Sequence, residues 1–354
     1  MNVEYLDCAT NIVKQYVKSN KIPGAVSLIA QHGKILSCKA FGYSQIIPYK
    51  KQMDINTLFD LASLTKPIIT ATSIMILVDR GLISLDMAVS EIIKELVNTN
   101  KKNITIRQLL THTSGLPDWR ALYITGHNYN EIINEVINTD TQCEPGSTYL
   151  YSDLGYILLC EVIRRVTNKR LDVFAYTNIL QPLKMENSLF NPLSINSNCA
   201  ATEFSALRGG VIKGEVHDNN AYYMGGISGH AGLFSTAKDI FYFCQMFLNK
   251  GIFHNTKILS IKAVEIMTKN AVTSMGYEGL GFFIKGNGTS KNYLLTNDAF
   301  GHTGFTGTCF WIDPNYQLII ILLTNRIHPT RNNNAHIPLR EKFINKVVTI
   351  LKEH

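Results

Sequence analysis

What this chain of 354 residues lacks narrows it first. It has no Cys-x-x-Cys pair, and its seven cysteines are odd in number and far apart. Cys160, Cys244 and Cys309 lie inside apolar runs, where a free thiol packs as a small hydrophobe. No disulfide framework is predicted, and a reducing compartment fits. There is no His-Glu-x-x-His, and the ten histidines are dispersed, so the sequence calls for no metal and no cofactor. No uninterrupted apolar stretch approaches the ~18 residues of a membrane span, and the N-terminus carries neither a basic nor an apolar signal region. Charged residues make up only 17%, and the net charge of +7 is scattered, thickening mildly over Arg326, Arg331, Arg340 and Lys342. A basic stripe interleaved with aromatics is missing, which argues against nucleic acid. The expectation is a cytoplasmic protein that meets a small molecule or peptide, with neither nucleic acid nor membrane as partner.

What is present centres on Ser63-Leu64-Thr65-Lys66-Pro67 and the apolar run behind it. From Ile68 to Val78 the apolar residues cover the whole circumference, the mark of a helix buried on all sides. Arg80 and Gly81 read as its last turn and the glycine after it. Pro67 is tolerable only in a first turn, so the helix is predicted to begin near Ser63. Lys66 then shares a face with Ser63. A desolvated lysine gives up its proton easily and can take that of a serine, which then attacks an acyl carbon. Ser-x-x-Lys is a cheap pattern, and a second copy stands at Ser235-Thr236-Ala237-Lys238. There Thr236 and Asp239 form a predicted capping box ahead of Ile240 to Leu248, so that copy reads as a helix start.

Around this centre the chain alternates in kind. A helix is predicted over 3–18, then a hairpin over 25–43 turning at His32-Gly33, and a capped short helix over 104–116. Further helices fit 129–138, 153–167, 172–179, 237–249 and 261–270, with a glycine-rich irregular region over about 196–234. Strands are predicted over 279–285, 298–302, 308–313 and 317–324, with a turn at Asn287-Gly288, and a helix over 337–351 closes the chain. Strands at both ends and helices between them predict an α+β fold. Its antiparallel sheet would be flanked by terminal helices and carry an inserted helical lobe. The whole reads as one domain over 1–354, with a sheet lobe of about 1–60 and 230–354 and a helical lobe of about 61–229.

Two further stretches can carry chemistry. Tyr151-Ser152-Asp153 leads into the helix of the middle lobe; the tyrosine can project into a cleft and Asp153 can cap the helix. Gly301-His302-Thr303-Gly304-Phe305-Thr306-Gly307 starts a strand, and its glycines allow close backbone approach. His217, Asp218 and His230, in the irregular loop, either touch substrate or tie the loop down by hydrogen bonds. His112 and Arg107 read as structural.

Taken together, Ser63-x-x-Lys66, Tyr151-x-Asp153 and His302-Thr303-Gly304, spaced by 88 and 151 residues, resemble the three boxes of penicillin-recognising serine enzymes. The chain is similar to the class C-like branch of the serine β-lactamase-related, penicillin-binding protein-like family, over about 20–330. Leu109 to Pro117 looks like a stretch habitual in that branch. Gly214 to Asp218 and Gly229 to Ala237 resemble a subset of cell-wall enzymes, penicillin-binding protein 4B-like carboxypeptidases and muramyl-alanine amidases. The resemblance implies a β-lactamase/transpeptidase-like fold and a serine hydrolase that forms an acyl-enzyme. It implies Ser63 as nucleophile, Lys66 and Tyr151 as base and acid, and the N–H groups of Ser63 and Phe305 as oxyanion hole. Asp153, His302, Thr303, Gly304, His217 and His230 would contact substrate.

Two boxes depart from the family. Asp153 replaces an asparagine whose amide donates to substrate, and an ionised aspartate has no proton to give. It can instead hold Lys66 or receive a substrate ammonium. His302 replaces a lysine whose fixed charge attracts a carboxylate, whereas an unperturbed histidine titrates near ~6.5. An inflection in turnover near about pH 6 to 7 is therefore expected. Both changes favour a small neutral or amino-bearing ester or amide, and with the cell-wall resemblance the expected substrate is best a D-amino-acid or muropeptide-like peptide. A carboxylesterase and a catalytically silent binding protein on the same scaffold are the alternatives.

Overall fold

The computed structural model describes residues 3–192, 198–269, 271, 278–286 and 293–353. α1 (Val3–Lys18) leads into β1 (Gly24–Gln31) and β2 (Lys34–Gln45), followed by the short β3 (Lys51–Gln52) and β4 (Phe59–Asp60). The helical region then runs through α2 (Thr72–Asp79), α3 (Ile106–Leu110), α4 (Tyr129–Asn138), α5 (Asp153–Thr167) and α6 (Leu171–Ala175). Next come β5 (Leu189–Phe190), the hairpin β6 (Ala201–Ser205) and β7 (Gly210–Lys213), α7 (Asn219–Tyr223) and β8 (Leu233–Ser235). After α8 (Ala237–Leu248), β9 (Ile252–Phe253), β10 (Thr256–Lys257) and α9 (Ile261–Thr268), the chain returns to the main sheet. It does so as β11 (Phe283–Ile284), β12 (Phe300–Thr303), β13 (Thr308–Asp313) and β14 (Leu318–Thr324). α10 (His336–Glu353) ends it.

The main sheet has the order β11-β12-β13-β14-β1-β2-β3, with antiparallel neighbours, so β1 from the start of the chain pairs with β14 from its end. Side chains alternate across a strand, and β14 shows what that does. Leu318, Ile320 and Leu322 pack with Leu6, Val13, Phe343 and Val347 of α1 and α10. Ile319, Ile321 and Leu323 face the opposite way, with Phe243 and Phe247 of α8 and the helical region. A strand covered on both faces reads as an unbroken apolar run, as this one does. The fold is therefore α+β, with terminal helices on one face of the sheet.

The irregular region predicted over 196–234 holds more order than its glycines suggested: a hairpin, a short helix and β8. The strand predicted over 279–285 shrinks to Phe283–Ile284, because only two residues pair with β12. The helix predicted over 172–179 splits into α6 and a wide π-type turn over Tyr176–Leu180. The turn at Asn287-Gly288 lies outside the described residues.

The central segment also differs from a single helix. Ala62–Leu64 forms one tight 3-10 turn, Lys66–Ala71 a wide π-type turn, and only Thr72–Asp79 is α-helical. Pro67 has no N–H to donate, and its carbonyl accepts from Thr72 Oγ1 at 2.8 Å. Such wide turns gather at functional sites. The stretch Ala62–Asp79 is long and apolar enough to cross a bilayer by composition, but 83% of it is buried inside the protein. It is a core helix.

Candidate active site

Ser63 is presented by a strained turn. β4 pairs with β8, Phe59 opposite Ser235 and Asp60 opposite Phe234, which fixes where the chain enters the turn. Asp60 is buried; its Oδ1 accepts from Ala62 N at 2.9 Å and its Oδ2 from His217 N at 2.7 Å. Burial raises the Asp60 carboxyl, and these two N–H groups oppose the rise. Ala62 adopts φ 47°, a left-handed conformation that costs a residue with a side chain of order 1 kcal/mol or more. Thr65 Oγ1 donates to Ala62 O at 2.7 Å and locks the turn. Asp60 escaped the sequence reading; its only trace is an Asx residue two positions before the nitrogen it caps.

Lys66 is fully buried, and its Nζ lies 3.0 Å from Ser63 Oγ, as the spacing predicted. The same Nζ donates to Asp153 Oδ1 at 2.6 Å and to His230 O at 3.3 Å. It also sits over the rings of Tyr151 and Tyr156, 4.9 and 5.6 Å from their centroids. Dryness led the sequence to an uncharged amine; a carboxylate at 2.6 Å instead pairs with an ammonium. The Tyr151 phenol borders the same pair. Burial, then the Asp153 charge, push the phenol well above its ordinary range, while Ser63 favours its ionised form. Asp153 does not cap α5. Ser152 does, accepting from Gly155 N at 3.2 Å, while Asp153 sits in the first turn with its carboxylate turned to Lys66.

His112 holds Tyr151 in place, a role the sequence did not reveal. Their rings stack at 4.2 Å, and His112 Nδ1 accepts from Ser152 N at 2.9 Å. Burial, then Lys66 and His302, hold the His112 imidazole well below its ordinary value. Arg107 points away and pairs with Asp86 at 2.8 Å.

The β12 edge closes the other side. Thr306 Oγ1 donates to Asp60 O at 2.7 Å and Thr308 Oγ1 to Leu61 O at 3.1 Å. A Cβ on Gly304 would overlap Leu61 O and Thr308 Oγ1, so only glycine lets the strand approach the Ser63 turn. Among the described residues, the backbone N–H groups of Ser63 and Phe305 donate to no protein backbone acceptor. His302 is buried, stacked on Phe283 at 4.2 Å, with Nδ1 hydrogen-bonded to Thr303 O at 2.8 Å. Burial, then Lys66, bring it down to about 3, so His302 stays neutral at pH 7 and supplies no inflection near about pH 6 to 7.

His217 and His230 are already engaged. His217 Nε2 pairs with Glu203 at 2.9 Å, and its ring stacks on Phe305 at 5.7 Å. His230 bonds Ser228 Oγ and Asp218 Oδ1, each at 2.8 Å. Their rings shape the wall, and His230 meets the centre through its carbonyl. Burial would raise Asp218, but the charge and hydrogen bond of His230 bring it down to about 2. One donor atom each from Asp153, Asp218 and His230 lie within 4.8 Å of one another, close enough to share a cation. Lys66 Nζ already lies against Asp153, and His230 and Asp218 bind each other.

The Beta-lactamase family profile matches residues 9–343. An N-acetylmuramyl-L-alanine amidase of Bacillus subtilis (strain 168) is 34% identical over 88% of this chain and 80% of its own length. A protein of Escherichia coli O157:H7 named as a D-alanyl-D-alanine carboxypeptidase is 31% identical, over 94% and 86%. Among solved structures, EstCE1, a hydrolase with promiscuous acyltransferase activity, superposes with TM-score 0.78 at 22% identity, over 97% of this chain and 99% of that one. The octameric penicillin-binding protein homologue from Pyrococcus abyssi superposes with TM-score 0.76 at 20% identity, over 100% and 78%. At such identities the superpositions speak to fold, whereas the profile and the two sequence relatives speak to descent. On that evidence the chain belongs to the β-lactamase family and is one of its serine hydrolases.

Proposed function

We propose that Ser63 attacks the acyl carbon of a small amide or ester, best a D-amino-acid or muropeptide-like peptide, and carries the acyl group until water releases it. The observation that carries this reading is Lys66 Nζ 3.0 Å from Ser63 Oγ, with the Tyr151 ring 4.9 Å from the same nitrogen. The nucleophile's proton passes to Lys66, with Tyr151 delivering a proton to the leaving group. Charge that develops on the attacked oxygen meets the N–H groups of Ser63 and Phe305. The names of the two sequence relatives support amide bonds of cell-wall peptides as the substrate class. All seven cysteines are free, which supports a reducing compartment and hence soluble fragments as substrate.

A carboxylesterase is the second reading, favoured by the neutral His302, which offers no fixed cation to a substrate carboxylate. Intact-mass spectrometry with a fluorophosphonate, a penicillin and an amino-acid ester tests both. Ser63 carrying the phosphonyl and the amino-acyl group supports the amidase reading. Acylation by simple esters alone supports the second, and a wild-type protein that no reagent labels sinks the serine mechanism.

A further inference from the structure

The resting centre holds one proton more than a serine nucleophile can use. An ammonium has three N–H donors, and Lys66 has three acceptors: Ser63 Oγ, Asp153 Oδ1 and His230 O. In that state Lys66 donates to the serine and cannot take its proton. Tyr151 is no substitute, since it keeps its own proton. Of the three acceptors around Nζ, the carboxylate alone has the basicity to hold a proton.

We propose that Asp153 takes it. Substrate entering the cleft displaces water, and a dry carboxylate–ammonium pair loses much of its advantage over the neutral acid–amine pair. The proton crosses from Nζ to Asp153 Oδ1 along the 2.6 Å hydrogen bond. Lys66, now an amine, accepts the Ser63 proton as the Oγ–C bond forms. When the bond to the leaving group breaks, Tyr151 gives its proton to the leaving atom and recovers one from Lys66, and the Asp153 proton returns to Lys66. In deacylation the proton crosses to Asp153 again, and water gives one proton to Lys66 as its oxygen adds to the acyl carbon. That proton passes to Ser63 Oγ as the Oγ–acyl bond breaks, and the Asp153 proton returns to Lys66. The residue that has no proton to donate at rest thereby acquires one in the reactive state.

The surroundings of Asp153 favour this. Asp218, held anionic at about 2, has a carboxylate oxygen within 4.8 Å, and a fixed negative charge stabilises the protonated neighbour. The groups facing the pair come from every wall: Ser63, Tyr151, Tyr156, His112, His302 and the Asp218–His230 pair. Glu278 faces Tyr151 and Tyr156 from beyond. The two tyrosines stay protonated, while His112 and His302 stay neutral, so none of these four titrates near neutrality.

This inference rests on the serine mechanism proposed above, and one experiment separates the two. The rate of fluorophosphonate labelling of Ser63 is measured against pH in the wild type and in Asp153→Asn, with circular dichroism confirming that the variant is folded. Resting and reactive wild-type forms hold the same number of protons, so the wild-type rate is expected to be flat from about pH 6 to 9. In Asp153→Asn the lysine must lose its proton to solvent. Labelling is then about 10²-fold slower at pH 7, rises up to about tenfold per pH unit, and approaches the wild-type rate in alkali. Parallel profiles, or no recovery in alkali, overturn the role of Asp153. A wild-type Ser63 that stays unlabelled at every pH overturns the mechanism beneath it.

Discussion

The protein carries its own control for the Ser-x-x-Lys pattern. Both copies space the two residues alike, but their burial is inverted. At the first copy Lys66 is fully buried and Ser63 is half-buried. At the second, Ser235 is fully buried, its hydroxyl 2.7 Å from Ser188 Oγ, while Lys238 is exposed and reaches over the Tyr242 ring at 5.9 Å. A nucleophile has to be reachable, and its proton acceptor has to be held in a dry, fixed geometry. The second copy fails both conditions because its helix presents the lysine outward. Spacing is shared; environment decides.

The largest contrast should come from the serines. Ser63→Ala is expected to abolish covalent labelling and lower turnover at least about 10³-fold, and Ser235→Ala to leave labelling within about twofold. A labelled Ser63→Ala protein breaks the comparison. The lysines come next. Lys66→Met should slow acylation by about 10²- to 10⁴-fold, whereas Lys238→Met should shift stability by less than about 0.5 kcal/mol and leave the rate unchanged. Equal losses in the two variants would mean that burial does not separate the copies.

The surroundings also differ in how they answer acid. His302 is held at about 3 against an ordinary 6.5, so the unfolded chain binds more protons than the folded one between those values. Its stabilising contribution is complete above about pH 6.5 and is lost as pH falls towards about 3, at up to about 1.4 kcal/mol per pH unit. Urea midpoints across this window should fall with pH, less steeply in His302→Gln, and with an unchanged slope in Ser235→Ala. The smallest effect belongs to the helix start of the second copy. Thr236 accepts from Asp239 N at 3.3 Å, and Thr236→Ala should cost about 1 kcal/mol in thermal unfolding with full activity retained. The reverse half of the predicted capping box is not formed, because Asp239 turns to Asn187 N and Ser188 Oγ, at 2.7 and 2.9 Å.

Legibility followed local periodicity. α4 and α5 begin and end where the pattern put them, and so does β13, because a stripe of apolar residues and a cap are properties of ten or fifteen consecutive residues. The small sheet β4-β8-β5 was invisible, since two- and three-residue strands from distant parts of the chain carry no period of their own. The Ser63–Lys66 pair was legible from a spacing of three. Asp60 and His112 were not, because they hold backbone atoms of distant segments, His217 by one and Ser152 by the other.

The sequence by itself determined the alternation of elements, the motif order and the nucleophile candidate, since each rests on residue types at short, fixed separations. Charge states were left to the tertiary structure. Asp153 lies 87 positions from Lys66 and 65 from Asp218, and only folding sets Asp153 against Lys66 with Asp218 close by. Electrostatic energies depend on distance and on excluded water, neither of which is written along the chain.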